Sequence, residues 1–155
     1  MDRRSWLVQI LTVGTISGLL LGSVLYIAQR LSGDSVFTLL MNVDYIPVLR
    51  QTVGILWIEW VLHLIVSVVL TGVIWTLYPR LFRSMQVAKA WIVGTAMVIG
   101  LLLFPSTVLS DRTPAIQDAS AWFWWMLAHF IYGLVLMQFY QIYQTHQQAK
   151  SKEPA

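Results

Sequence analysis

The chain has 155 residues, of which 57% are hydrophobic and only 11% are charged, and its mean hydropathy is +0.68. Soluble domains average about 45 to 50% apolar and about 25% charged residues, so this composition excludes an ordinary water-soluble protein and indicates one that lies in lipid. The net charge of +3 is small and the basic residues are scattered, which excludes a nucleic-acid partner. The absence of cysteine excludes disulfides, thiolate metal sites and cysteine-held iron–sulfur clusters.

The first predicted membrane span covers residues 7–28, which is long enough for a helix to cross the hydrocarbon layer. Its basic start also resembles a signal peptide, but the apolar run is long and has no small-x-small cleavage site, so we predict an uncleaved anchor. Gly14, Gly18 and Gly22 recur at every fourth position of this span. They predict a helix-packing ridge against another helix of the chain or against a second copy.

Residues 31–51 form the first outer connection, which is longer than a compact bundle usually leaves without structure. Its middle, residues 36–41 with the sequence VFTLLM, predicts a short helix on the outer surface, with a flexible loop as the alternative.

The second predicted span, residues 53–77, carries a polar stripe made of Glu59, His63, Ser67 and Thr71. Four residues slightly exceed one helical turn, so these side chains lie along one face. A charged carboxylate or imidazolium in hydrocarbon costs at least a few kcal/mol, which predicts that this face points to the interior. Glu59 and His63 are one turn apart, close enough to share a hydrogen bond.

The last two predicted spans cover residues 90–104 and 121–143. Pro79 and Pro105 are predicted to end the second and third spans, and the third is short enough that its helix must begin earlier or tilt little. Asp118 or Ser120 is available to cap the fourth. The sequence therefore predicts an all-α, polytopic membrane protein with four transmembrane helices in an up-down bundle. One domain covers residues 1–148, and residues 149–155 form a flexible cytoplasmic tail.

Two octapeptides in the second and fourth spans are alike: HLIVSVVL begins at His63 and HFIYGLVL begins at His129, with four of eight positions identical. The likeness predicts a two-plus-two internal repeat in which each half contributes one antiparallel helix pair. His63 and His129 then lie at similar depth and meet near the bundle axis, with Tyr132 one turn further inward.

The basic residues predict the orientation of the chain. Seven of the ten fall on the side of the two chain ends, namely Arg3, Arg4, Arg80, Arg83, Lys89, Lys150 and Lys152. Since cytoplasmic segments are enriched in lysine and arginine, both termini are predicted to lie in the cytoplasm.

Three interpretations compete for the cluster of Glu59, His63, Ser67, His129 and Tyr132. The side chains hold the bundle in register as neutral hydrogen-bonding groups, or they handle protons or cations, because histidine near a carboxyl group changes charge close to neutral pH. The third interpretation is haem b or a metal ion bound through His63 and His129, as in an electron-transfer subunit. No nucleophilic triad, phosphate-binding glycine loop or His-Glu-x-x-His motif is present, so we expect a non-enzymatic protein without a cofactor.

A long first outer loop, a proline that ends the third span and a His-x-x-Tyr-Gly element at His129, Tyr132 and Gly133 occur together in this chain. In this combination it resembles the YagU and YqhR types of small four-span inner-membrane protein. The resemblance implies a bacterial cytoplasmic membrane and assigns no catalytic residue, and an association of YagU-like proteins with acid tolerance favours the proton interpretation. The expected partner is the lipid bilayer, with a homo-oligomer or a larger membrane complex left open.

Overall fold

The computed structural model describes residues 3–44 and 46–150, and within them it is helical with no β-strand, which confirms the all-α class. The α-helices are α1 (Arg3–Ser32), α2 (Val36–Met41), α3 (Leu56–Leu81), α4 (Met85–Leu103) and α5 (Ala119–Lys150), with 3-10 helices at Pro47–Thr52 and Phe104–Leu109. Four segments are long and apolar enough to cross a membrane: Arg4–Ser32, Leu56–Leu81, Met85–Leu109 and Ala119–Gln147. Most of the predicted tail, residues 151–155, lies outside the described residues.

Helix α3 begins later and ends later than its predicted span. It begins at Leu56 because Gly54 has a positive φ of 84°, a backbone conformation that no helix contains. It continues through Pro79 to Leu81, although Pro79 was predicted to stop it. Proline removes one backbone N–H and therefore one hydrogen bond, and so close to the end of the helix little further structure depends on that bond.

Helix α4 begins at Met85, five residues before the predicted span, and this early start gives the short third span enough length to cross a membrane. The α-helix ends at Leu103, and Pro105 lies in the 3-10 helix that follows it.

The short helix predicted at residues 36–41 is confirmed as α2, but its apolar side is not on an outer surface. Val36 is fully buried, and Leu39 and Met41 are 4% and 3% exposed. The helix packs against α1, α3 and α5. The side-chain amide oxygen of Gln29 accepts the backbone N–H of Thr38 at 2.9 Å, which fixes α2 to the end of α1.

The long helices pack mainly as two pairs. Helix α1 lies against α3, and helix α4 lies against α5. In addition, α1 packs against α5, whereas α3 has few contacts with α4. The faces turned away from these contacts are largely apolar; on α3 they expose Val61, Ile65, Val66, Val69 and Val73. Exposed valine and isoleucine along a helix whose buried face is polar is the pattern expected of a helix in lipid.

Side-chain carboxylates connect the segment between α1 and α3 to the segment between α4 and α5. Ser120 Oγ donates to Asp34 Oδ2 and Ser110 Oγ donates to Asp44 Oδ2, both at 2.6 Å. Asp118 Oδ1 accepts the backbone N–H groups of Ser120 and Ala121 at 3.0 and 3.1 Å, so the predicted capping role of Asp118 is confirmed.

Candidate functional site

The site is built on the polar stripe of α3 and the glycine ridge of α1. A Cβ atom added to Gly14 would lie 2.6 Å from Val68 Cα, and one added to Gly18 would lie 2.9 Å from Ser67 Cβ. A Cβ on Gly22 would lie 2.4 Å from the Trp60 ring. The glycines therefore let the two backbones approach more closely than any side chain permits, and the ridge faces α3 of the same chain.

That close approach exposes the glycine carbonyls of α1 to the polar stripe. His63 Nε2 lies 3.0 Å from the carbonyl oxygen of Gly18. A carbonyl oxygen only accepts hydrogen bonds, so Nε2 of His63 carries the proton and donates it across the helix interface.

Ser67 joins three helices. Its hydroxyl donates to the carbonyl oxygen of Gly14 at 2.7 Å and lies 3.0 Å from Tyr132 Oη. A serine hydroxyl has one hydrogen, and here Gly14 takes it, so Tyr132 must be the donor in the second bond. The result is an ordered chain from Tyr132 on α5, through Ser67 on α3, to the backbone of α1, and Ser67 and Tyr132 are only 4% and 3% exposed.

His129 lies in the other helix pair, between α5 and α4. Its Nδ1 is 2.9 Å from the carbonyl oxygen of Trp125, one turn earlier on the same helix, and this nitrogen therefore carries the proton. A Cβ on Gly100 would lie 2.8 Å from His129 Cγ, so the imidazole packs directly on the backbone of α4. Trp125 Nε1 donates to the carbonyl oxygen of Gly100 at 2.8 Å and its ring centroid lies 4.5 Å from that of His129.

The predicted site residues are thus brought together only in part. Ser67 and Tyr132 form a hydrogen bond with each other. Glu59 does not bond to His63 as predicted; instead its Oε1 accepts the backbone N–H of Gly54 at 2.8 Å. That N–H belongs to the turn before α3 and has no helical partner, so the carboxylate satisfies it. His63 and His129 likewise bond to separate backbone carbonyls, and in the described part of the chain no hydrogen bond joins the two rings.

The described residues offer few ligands for a metal ion. Among residues 3–44 and 46–150 no group of three or more histidine, cysteine, aspartate or glutamate side chains is arranged to hold one. His63 uses Nε2 on Gly18, and His129 uses Nδ1 on Trp125, which leaves one free nitrogen on each ring.

Three residues of the site were missed from the sequence. Ser17 on α1 is fully buried and its hydroxyl has no hydrogen-bond partner among the described residues. Trp125 and Gly100 form the contact that holds His129, and the signal for them was present, since Ala96 and Gly100 are small residues four positions apart on a span.

Comparison with known proteins adds no relative: no family model, no curated protein and no solved structure matches the chain.

Proposed function

We propose that this chain is a non-enzymatic, multi-pass protein of the bacterial cytoplasmic membrane, with both termini in the cytoplasm, whose buried polar cluster holds its helices in register. The observation that carries this proposal is the ordered bond chain from Tyr132 through Ser67 to Gly14, which ends on the backbone and uses the hydrogen of each hydroxyl in it. Polar side chains in lipid are expensive, and using them to connect three helices is a role that repays their cost.

The four long helices are proposed to form an up-down bundle with a two-plus-two repeat. Close contacts of Gly14 with Val68 and of Gly22 with Trp60 make α1 and α3 antiparallel. Contacts of Gly100 with His129 and of Gly133 with Val93 do the same for α4 and α5. Each half then consists of one antiparallel pair sealed by small residues.

Removing the two hydroxyls of the bond chain tests the structural role. Ser67→Ala leaves the buried Tyr132 hydroxyl without its acceptor, which costs about 1 to 3 kcal/mol of unfolding free energy. Tyr132→Phe removes one hydrogen bond and leaves Ser67 bonded to Gly14, at a cost of about 0.6 kcal/mol, the average for such bonds in membranes. The double variant removes the orphaned hydroxyl as well, so it should lose less than the sum of the single variants.

The measurement is unfolding of the purified protein in detergent, with Thr145→Ala as the control, because that hydroxyl is exposed and bonds only to its own helix. Equal stability of Ser67→Ala and Thr145→Ala would remove the structural role.

Proton handling is the second candidate, and the two free ring nitrogens favour it. His63 Nδ1 and His129 Nε2 have no hydrogen-bond partner among the described residues, so each is available to accept a proton. A pH-sensitive dye enclosed in vesicles that contain the protein would report proton flux. Flux above that of protein-free vesicles, lost in His129→Gln, would support this function, and its absence would leave the structural role alone.

A further inference from the structure

Two adjoining clefts lie at the end of the molecule where α1 begins and where α3 and α5 end. The first has a volume of about 390 Å³ and lies mainly between α1 and α5, and the second, of about 430 Å³, lies between α1, α3 and α5. They share Trp75, Tyr143 and Gln147 as walls. Both volumes fall in the range of about 300 to 1,000 Å³ that small-ligand sites occupy.

The polar groups around these clefts suit an anion. Arg80 lines the second cleft and His146 the first, and neither side chain has a hydrogen bond or an ion pair with the described residues. No lining residue of either cleft is acidic. Arginine offers several N–H donors in a planar arrangement that matches phosphate oxygens, so an unpaired arginine beside a neutral, aromatic wall favours a phosphate group.

A buried donor and a buried acceptor at the same end have no partner. Trp75 is 3% exposed and its indole N–H has no acceptor within the described residues, and the side-chain oxygen of Gln9 is also buried without a donor. Such groups are costly unless a hydrogen-bond partner satisfies them, and a bound ligand with polar atoms can be that partner.

Part of the remaining wall is apolar, and the clefts lie near the ends of two candidate spans. Val13, Phe139 and Ile142 line the first cleft on the side of the bundle, whereas Arg80 and Gln147 lie at the ends of two candidate spans. A ligand that fills the region therefore needs a charged head at the interface and an apolar chain along the helices.

We propose that these two clefts, the inner-end site, bind one anionic phospholipid, with its phosphate at Arg80 and His146 and an acyl chain along Val13 and Ile142. The site rests on the proposed membrane location and adds a specific ligand to it. A free phosphate shares the chemistry of the head but leaves the apolar walls uncovered.

The test uses delipidated full-length protein in detergent, to which phosphatidylglycerol, phosphatidylcholine or inorganic phosphate is added. Binding is followed by native mass spectrometry and by the shift of the unfolding temperature. Phosphatidylglycerol should bind and raise the unfolding temperature more than phosphatidylcholine does, and inorganic phosphate should leave it unchanged. Equal effects of the two lipids would overturn the anionic site, and a full shift with inorganic phosphate would overturn the lipid as its ligand.

Arg80→Gln should weaken phosphatidylglycerol binding roughly fivefold, the effect expected for one basic residue at a membrane surface. His146→Gln should weaken it in the same direction. Arg112→Gln removes the same charge at the opposite end of the molecule and should have no effect. If Arg80→Gln and Arg112→Gln bind equally well, the site is wrong. Alkaline extraction of membranes separates this failure from that of the proposed function: a chain released by alkali refutes the membrane location, whereas an embedded chain without lipid preference refutes only the inner-end site.

Discussion

The α1–α3 pair and the α4–α5 pair both pack closely at glycine residues, but their polar contacts differ. Each brings a glycine of the first helix against the second, and in each the glycine carbonyl accepts an aromatic N–H: Gly18 from His63 and Gly100 from Trp125. In the first pair the histidine itself crosses the interface. In the second, tryptophan crosses it and His129 bonds within its own helix.

The difference shows that similar octapeptides need not make similar contacts. Ser67 and Gly133 occupy the same position of the two octapeptides. Ser67 donates to α1, while Gly133 has no side chain and lets Val93 of α4 approach to 3.0 Å of where its Cβ would be. Ser67 also bonds to Tyr132 of α5 and so connects a third helix, whereas Gly133 only permits close packing. The two helix pairs therefore have a similar backbone arrangement and different chemistry.

The largest expected effect concerns the orientation of the two helix pairs across the membrane, because a cysteine is either labelled on intact cells or not labelled. Because the chain has no cysteine, single cysteines can be placed at the exposed positions Gln117 and Ser84. We expect an impermeant maleimide to label Gln117→Cys on intact cells and Ser84→Cys only after lysis, because the excess of basic residues on the side of the chain ends predicts that this side is cytoplasmic. Labelling of Ser84→Cys on intact cells would invert the orientation and with it the assignment of the inner end.

The next largest effect is expected where a glycine allows two helices of a pair to pack closely. Gly18→Leu and Gly100→Leu each force a side chain into a gap of about 3 Å, which should cost about 1 to 3 kcal/mol of unfolding free energy or more. Gly94→Leu is the matched control, since nothing lies within 4 Å of where its Cβ would be. The unfolding midpoint in detergent measures all three. A Gly18→Leu variant as stable as Gly94→Leu would mean that the ridge does not seal α1 to α3.

Much of the fold was predictable because hydrophobic length is read directly from the sequence. The four long apolar helices, the short helix at Val36–Met41 and the cap at Asp118 follow from composition and from local hydrogen-bonding rules. Boundaries were less predictable: helix α3 continues past Pro79, because the sequence alone does not show how near to the end of a helix a proline falls.

The sequence predicted which residues belong to the site, but not their hydrogen-bond partners. Helical spacing places Glu59, His63 and Ser67 on one face, yet it says nothing of what faces them. Apart from the Tyr132 hydroxyl at Ser67, the partners are backbone groups of Gly54, Gly18 and Gly14, and glycine carries no side chain for a sequence pattern to detect. Small residues such as glycine let another helix come close enough to reach a backbone carbonyl, so the glycine ridge was the nearest signal.

The most direct test of the account is the coupling between the two histidines. His63→Leu removes a bond between helices and should cost about 1 kcal/mol, whereas His129→Leu removes a bond within one helix and should cost less. Because the rings bond to separate carbonyls, unfolding of the double variant in detergent should show the sum of the two losses to within about 0.3 to 0.5 kcal/mol. A coupling of about 1 kcal/mol or more would mean that the imidazoles act on each other, and it would contradict the assignment of each histidine to its own helix pair.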